Sequence, residues 1–243
     1  MKTPSEAEGL ARSLVETMGA MGVTTTALIT AMDHPIGRTI GNALEVRESL
    51  DCLMGGGPPD LQELVVALGG ELLTSANLCV SVEEGRDKIL ATLKDGTALA
   101  AFKNMIVSQG VDEQTARRLC TEKSSSDCLP KAKHTTPVCA KTSGTITEEN
   151  ALALAEVSAA LGAGRERAGE PIDYDVGIVL DKVVGERVEE GQAWATLHHK
   201  EESVPEALLS KVRQAVVIDP KMTPFDTPSR VIKRITATSL STL

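Results

Sequence analysis

Aromatic side chains are nearly missing from this chain. One Trp, one Tyr and two Phe make up 2% of its 243 residues. Any core must therefore be aliphatic, built from the Leu, Val, Ile, Ala and Met that dominate the 42% apolar content. No apolar run approaches the ~20 residues that span a bilayer, so no membrane partner is expected. The N-terminal MKTPSEAEGL has no apolar stretch of the signal-peptide kind. Positive charge is also scarce: the formal net charge is −9. That argues against nucleic acid or an anionic membrane surface as a partner. A small anion is not excluded, because backbone N–H groups alone can hold one. The five cysteines (Cys52, Cys79, Cys120, Cys128, Cys139) are odd in number and scattered, with no CxxC pair. This suits reduced thiols and a cytoplasmic location better than a disulfide framework or a zinc site. The length allows one sizeable core or two modest ones, and no tandem repeat is present.

What is present reads first as helix. Thr3-Pro4-Ser5-Glu6 combines a cap, a first-turn proline and a capping-box glutamate. Ala7, Leu10, Ala11, Leu14, Met18 and Met21 follow at helical spacing until Gly22. Val23 to Thr30 is a nearly uncharged run, the pattern of a strand covered on both faces. Further helices are expected around Leu44, Val46, Leu50 and Leu53, and then from Asp60 as cap with Glu63 closing a box. Leu61, Leu64, Val65, Leu68 and Leu72 form that second helix's inward stripe. Ser81 and Glu84 repeat the capping signature. Helices are expected also from Thr97 to Gln109 (Leu99, Phe102, Met105 and Ile106 inward) and from Asp112 to Cys120.

Thr121 to Pro137, rich in Ser and Lys, reads as a linker. Beyond it, Val138 to Ile146 reads as a strand pair or bent strand. Glu148 to Leu161 is an Ala-rich helix capped by Thr147 and broken by Gly162-Ala163-Gly164. Val176 to Val184 and Ala193 to His198 are strands, Val204 to Val217 is an amphipathic helix, and an extended tail follows. The expected class is α/β: a partial mixed or parallel sheet with flanking helices, followed by a small α+β barrel-sandwich-like domain. The expected divisions are 1–126, a linker at 127–137, 138–217, and a tail at 218–243.

The chemistry concentrates where the Val23 to Thr30 run stops at Asp33-His34-Pro35-Ile36-Gly37. A Gly41-Asn42 step then enters a helix. Ligands in open α/β sheets sit at such carboxyl ends. Glu45 and Glu48 share one face of that helix and could pass for an acid/base pair, but solvation or pairing with an arginine is the ordinary fate of helix carboxylates. His198 and His199 are adjacent on a strand, point to opposite faces and cannot share an ion. With His34 and His134 they are expected to be solvated. The glycines at 162 and 164, with Arg165 and Arg167, follow a helix C-terminus, where the dipole disfavours an anion. Lys182, before Val-Gly-Glu-Arg-Val-Glu-Glu-Gly, has the turn pattern of lipoyl- or biotin-carrying domains. It falls inside an expected strand rather than at a hairpin tip, so architecture without a prosthetic group is expected.

Three stretches carry a resemblance: TALITAMDHPIGRTIGNALEVRESL, GGGPPDLQELVVALGGELL, and LGAGRERAGEPIDYDVGIVLDKVVGERVEEGQAWATLHH. Together they resemble the C-terminal half of the pyrimidine-nucleoside phosphorylase family, which includes thymidine phosphorylase. The segment from Val138 to His199 speaks against the related anthranilate-type phosphoribosyltransferases, which resemble the α/β part alone. The resemblance implies a pentosyltransferase that cleaves thymidine or uridine with phosphate, releasing the base and a (deoxy)ribose 1-phosphate, and a homodimer in the full-length family. It also implies a monovalent cation, such as potassium, held in part by loop carbonyls that fall on Ile36 and Thr39 and by the carboxylate of Glu48. The family's lysine-, serine- and glycine-rich phosphate loop and its base-binding residues have no counterpart in this sequence. The chain alone is therefore expected to be inactive, with an exposed edge on the strand from Val23 to Thr30. The alternative is a non-catalytic, truncated interaction module that docks on a full-length partner.

Overall fold

A computed structural model of the chain describes residues 1, 3–121, 128–165, 167 and 169–237. They form two compact units. The first comprises Met1–Ala31, Pro59–Asp95 and Ser229–Leu243; the second comprises Met32–Pro58 and Gly96–Pro228. The first unit draws on both ends of the sequence, and the second on two internal segments.

The first unit opens with α1 (Pro4–Ala20). Thr3 caps it with an Oγ1 that accepts from the Glu6 N–H, and the Glu6 carboxylate accepts from the Thr3 N–H. The expected box is therefore formed. The inward stripe is different: Ala11 and Val15 are buried, whereas Leu10 (47%) and Leu14 (51%) are exposed. β1 (Thr26–Thr30) is shorter than the expected strand and pairs antiparallel with β9 (Val231–Thr236). This corrects two expectations. The neighbour of β1 is not parallel, and one edge of β1 is covered by the segment read as an extended tail. Ile29, Ile235, Ala11 and Val15 make the small core of this unit.

α3 (Pro59–Ser75) and α4 (Val82–Asp95) complete it. Asp60 lies inside the helix rather than capping it. Its carboxylate takes Nη2 of Arg230 at 2.8 Å, while Glu63 accepts from the Arg230 N–H (3.1 Å) and the Ser229 hydroxyl (2.5 Å). The buried stripe of α3 is Leu64, Ala67, Gly70 and Glu71, with Leu68 and Leu72 outward. Small residues win that face because two backbones meet there: a Cβ on Gly85 would lie 2.7 Å from the Gly70 carbonyl. The α4 cap is as expected, with Ser81 Oγ accepting from Glu84 N and Glu84 from Val80 N.

The second unit holds two antiparallel sheets. One has the order β2-β5-β7-β3, from β2 (Thr39–Ile40), β5 (Gly177–Leu180), β7 (Ala193–His199) and β3 (His134–Cys139). The other has the order β6-β4-β8, from β6 (Arg187–Val188), β4 (Gly144–Glu149) and β8 (Val216–Asp219). Among the described residues every strand pairing is antiparallel, which replaces the expected mixed or parallel sheet. Both sheets, α7 (Ala151–Ser158) and α8 (Glu206–Gln214) surround one aliphatic core with Trp194, Ile146, Leu154, Ile178, Leu180 and Leu197 at its centre. The Ala-rich helix starts late, because Glu148 and Glu149 belong to β4 and Asn150 is the cap, its side chain accepting from Ala153 N. A π turn (Ala159–Ala163) ends it at Gly162, whose φ is +114°. α2 (Asn42–Leu53), α5 (Thr97–Ser108) and α6 (Glu113–Leu119) complete the unit, α5 with Met105 exposed rather than inward. Of the expected linker, residues 122–127 lie outside the described residues, and its end from His134 is strand β3. Among the described residues no helix is long and apolar enough to cross a membrane.

Candidate functional site

The loop before β2 belongs to the second unit and is fixed from three sides. Its start is tied to the β4–α7 junction: the Ala151 N–H donates to Asp33 O (3.0 Å), and the His34 ring lies 3.0 Å from the Glu149 carbonyl through Nδ1. Its end is tied to β5, where the Leu180 N–H donates to Arg38 O at 2.7 Å. Beneath it lies Glu48. That carboxylate accepts from the Arg38 N–H at 2.7 Å and from Thr39 Oγ1 at 3.0 Å. Gly37 has φ +71°, and a Cβ there would stand 2.3 Å from Glu48 Oε2. Glycine is required both for the turn and for the carboxylate's approach.

Glu45 reaches back in the same manner, its Oε1 accepting from the Gly41 N–H at 3.0 Å. The two glutamates are therefore loop anchors, which corrects the reading of them as solvated or arginine-paired. Arg47 makes neither of these bonds; its Nε and Nη2 are buried with no hydrogen-bond partner.

The Gly41-Asn42 step has a specific task. A Cβ on Gly41 would meet the Val176 carbonyl at 2.5 Å, and one on Gly177 would meet the Ile40 carbonyl at 2.2 Å. Two backbones pass at a distance that excludes side chains. Asn42 then donates from Nδ2 to Ala163 O (2.8 Å), and the Ala43 N–H finds Tyr174 O (2.9 Å). The Tyr174 carbonyl thus occupies a backbone donor that a helix start leaves open, and the Ala163 carbonyl holds the Asn42 side chain. The step itself is visible in the sequence, but its partners lie about 120–130 residues away and leave no local signal.

Arg38 carries charge across the site. Its guanidinium grips Glu186, Nη2 to Oε1 at 2.5 Å, and lies 3.3 Å from the Asp181 carbonyl through Nη1. Burial alone would push the Glu186 carboxyl up. The Arg38 contact and the Val183 N–H outweigh it and hold the group below the ordinary glutamate value.

Of the three expected cation ligands, Thr39 and Glu48 are in direct contact. Since Arg38 and Leu180 share a ladder bond, Thr39 and Val179 form the non-bonded pair of the alternation, which turns the Thr39 carbonyl away from β5. β2 is the edge strand of its sheet, so that carbonyl faces off the edge. Ile36 lies half-buried two residues before Arg38. Among the described residues no group of three or more His, Cys, Asp or Glu side chains could hold a metal ion. The donors at this loop are carbonyls and one carboxylate, a set that suits a hard cation.

The histidines are not solvated as expected. His199 is 3% exposed, bonded to Thr136 Oγ1 and the Glu201 carbonyl (2.8 Å each), and stacked on His134 with centroids 5.9 Å apart. His198 is half-buried; burial and then the Arg47 charge push its imidazole below the ordinary value. Lys182 lies in a bend after β5, not inside a strand, with its N–H donating to Trp194 O at 3.0 Å.

Comparison with known proteins defines the class. The family model described as "Glycosyl transferase family, a/b domain" matches residues 2–99, and that described as "Pyrimidine nucleoside phosphorylase C-terminal domain" matches residues 145–219. The chain is 39% identical over 226 residues to the thymidine phosphorylase of Homo sapiens, covering 92% of this chain and 47% of that protein. It is 37% identical over 236 residues to the pyrimidine-nucleoside phosphorylase of Staphylococcus haemolyticus (97% and 52%). The Staphylococcus aureus (strain USA300) protein of the same name is 38% identical over 218 residues (90% and 48%). The chain belongs to the pyrimidine-nucleoside phosphorylase family. It spans about half the length of the curated relatives it matches.

Proposed function

We propose that these 243 residues are the C-terminal half of a cytoplasmic pyrimidine-nucleoside phosphorylase, and that the whole protein is a homodimeric pentosyltransferase. Phosphate replaces the pyrimidine of thymidine or uridine, giving the free base and a (deoxy)ribose 1-phosphate. The observation that carries this reading is the 37–39% identity to phosphorylases over 90–97% of the chain. Phosphate and base contacts are assigned to residues outside this sequence, which holds no lysine-, serine- and glycine-rich phosphate loop. The divisions at 1–126, 127–137 and 138–217 are part of this proposal, supported by separate family matches over residues 2–99 and 145–219; so is a barrel-sandwich description of 138–217, supported by two sheets around one core.

In this reading the present chain's contribution is structural support. Glu48, fixed by the Arg38 N–H and the Thr39 hydroxyl, holds the 36–39 turn rigid. The carbonyls of Ile36 and Thr39 with the Glu48 carboxylate are proposed as part of a potassium site. The bound cation would supply a fixed positive charge near the turn. The second reading, an interaction module that docks on a full-length partner, is favoured by the exposed Val65, Leu68 and Leu72 on α3.

The chain alone, given thymidine and phosphate, is expected to release no thymine above a no-protein blank, whereas a polypeptide of the relatives' full length carrying it does. Thymine release by the 243-residue chain itself would overturn the assignment of the contacts. For the cation, thermal unfolding in potassium chloride is compared with choline chloride at equal ionic strength. Potassium-specific stabilisation that disappears in Glu48→Gln supports the site; equal melting in both salts sinks it.

A further inference from the structure

The second unit contains a cavity remote in sequence from the loop at 33–42. It has a volume of about 160 Å³ and is lined by Lys141, Arg213, Trp194, Val216, Ile218 and Cys139 among others, with no carboxylate in its lining. We propose that this cavity binds a small amphipathic monoanion, an aryl or short alkyl carboxylate, with its charge against Lys141 and Arg213 and its apolar body against Trp194, Val216 and Ile218.

Three observations carry the proposal. The first is charge. Two cations lining one cavity stand out in a chain of net charge −9. Lys141 has no ion-pair partner among the described residues. Arg213 is held through Nη1 by Glu206 at 2.6 Å, and the Glu206 side chain is itself 75% exposed. The second is the apolar wall. Trp194, 1% exposed and anchored in the core, is the fixed backing of that wall, whose accessible apolar face belongs to the partly exposed Val216 and Ile218. Val216 and Ile218 stand on the same side of β8, two residues apart. The third is size: a dry cavity of roughly 150 Å³ accommodates a benzene-sized body. Few convergent polar groups on an apolar concavity is the ordinary composition of a small-molecule site. The proposal does not depend on the phosphorylase reading.

The chain carries its own reporter, because Trp194 is its single tryptophan. The test titrates the full chain with benzoate, benzyl alcohol and benzylammonium while following Trp194 fluorescence. Alkylation of the exposed Cys139 by iodoacetamide gives a second readout. Benzoate is expected to change the fluorescence saturably and to slow Cys139 alkylation several-fold. It should bind at least tenfold more tightly than benzylammonium. Lys141→Glu, an exposed substitution, should lose most of the benzoate affinity and bring benzylammonium level with it. Arg213→Gln should weaken benzoate without that reversal. No saturable response to benzoate, equal binding of the three probes, or benzoate binding unchanged in Lys141→Glu would each overturn the proposal.

Discussion

The two units of this chain solve the same problem with unequal means. The second encloses Trp194, Leu154, Ile178, Leu180 and Leu197 between two sheets and two helices, each almost fully buried. The first buries Ala11, Val15, Ile29 and Ile235 under a two-stranded sheet, and leaves Leu10, Leu14, Leu68 and Leu72 substantially in solvent. A two-stranded ribbon is marginal without helical cover. The first unit offsets this with ionic clasps: Arg230 on Asp60, and Arg234 bidentate on the buried Glu71 at 2.6 and 2.9 Å. A closed aliphatic core tolerates an exposed surface made of charge. An open one needs its last strand held by side chains.

The largest expected effect breaks the comparison at its strong end. Trp194→Ala should destabilise the second unit by about 3–5 kcal/mol, the range for large buried aromatics, in urea unfolding. Ile29→Ala in the first unit should fall at the low end of the ~2–5 kcal/mol range, because open faces let the site collapse. Equal losses would erase the distinction. Next is Gly177→Ala. The residue has φ +151°, and its Cβ would stand 2.2 Å from the Ile40 carbonyl. A loss of about 1–3 kcal/mol, with detachment of β2, is expected from strained backbone. Amide chemical shifts confined to residues 36–44 would localise it.

Arg234→Ala tests the clasp. It strands a carboxylate that is 6% exposed, yet Arg234 itself is half in solvent. A loss of about 1–2 kcal/mol is expected, with β9 freed from β1 and limited proteolysis cutting near Val231. An unchanged digestion pattern would show that the strand pairing holds without the ion pair.

The smallest effect is pH-dependent. His198 binds its proton less readily folded than unfolded, through burial and then through Arg47 and His199, with Asp181 opposing. Between the two values the unfolded chain carries more protons, so stability falls as pH drops below the unfolded value of about 6.5 and levels off below the folded one. His198→Asn should flatten that slope in urea midpoints taken across the window; a slope unchanged in the variant would assign it to other groups.

Much of this was legible in residues that act locally. Thr3, Pro4 and Glu6 fix the start of α1 because a cap needs nothing beyond four consecutive residues. Gly37 and Gly41 marked the loop, since a left-handed turn and a close approach both leave glycines. Parts that depend on distant partners stayed hidden. β9 pairs with a strand about 200 residues earlier in sequence, and nothing in Val231 to Thr236 announces that partner. Size alone points the large apolar residues of α3 inward, whereas the α3–α4 approach through Gly70 and Gly85 demands small ones. At the loop, resemblance alone pointed to Glu48. Its bonds to the Arg38 N–H and Thr39 Oγ1 required the fold.

The most direct test of the contrast between the units is native-state hydrogen exchange of the full chain, read strand by strand. Amides of β7 from Ala193 to His199 are expected to exchange through near-global unfolding, and amides of β1 from Thr26 to Thr30 orders of magnitude faster through local opening. Equal protection of β1 and β7 would contradict it, and would mean that the first unit is as complete in itself as the second.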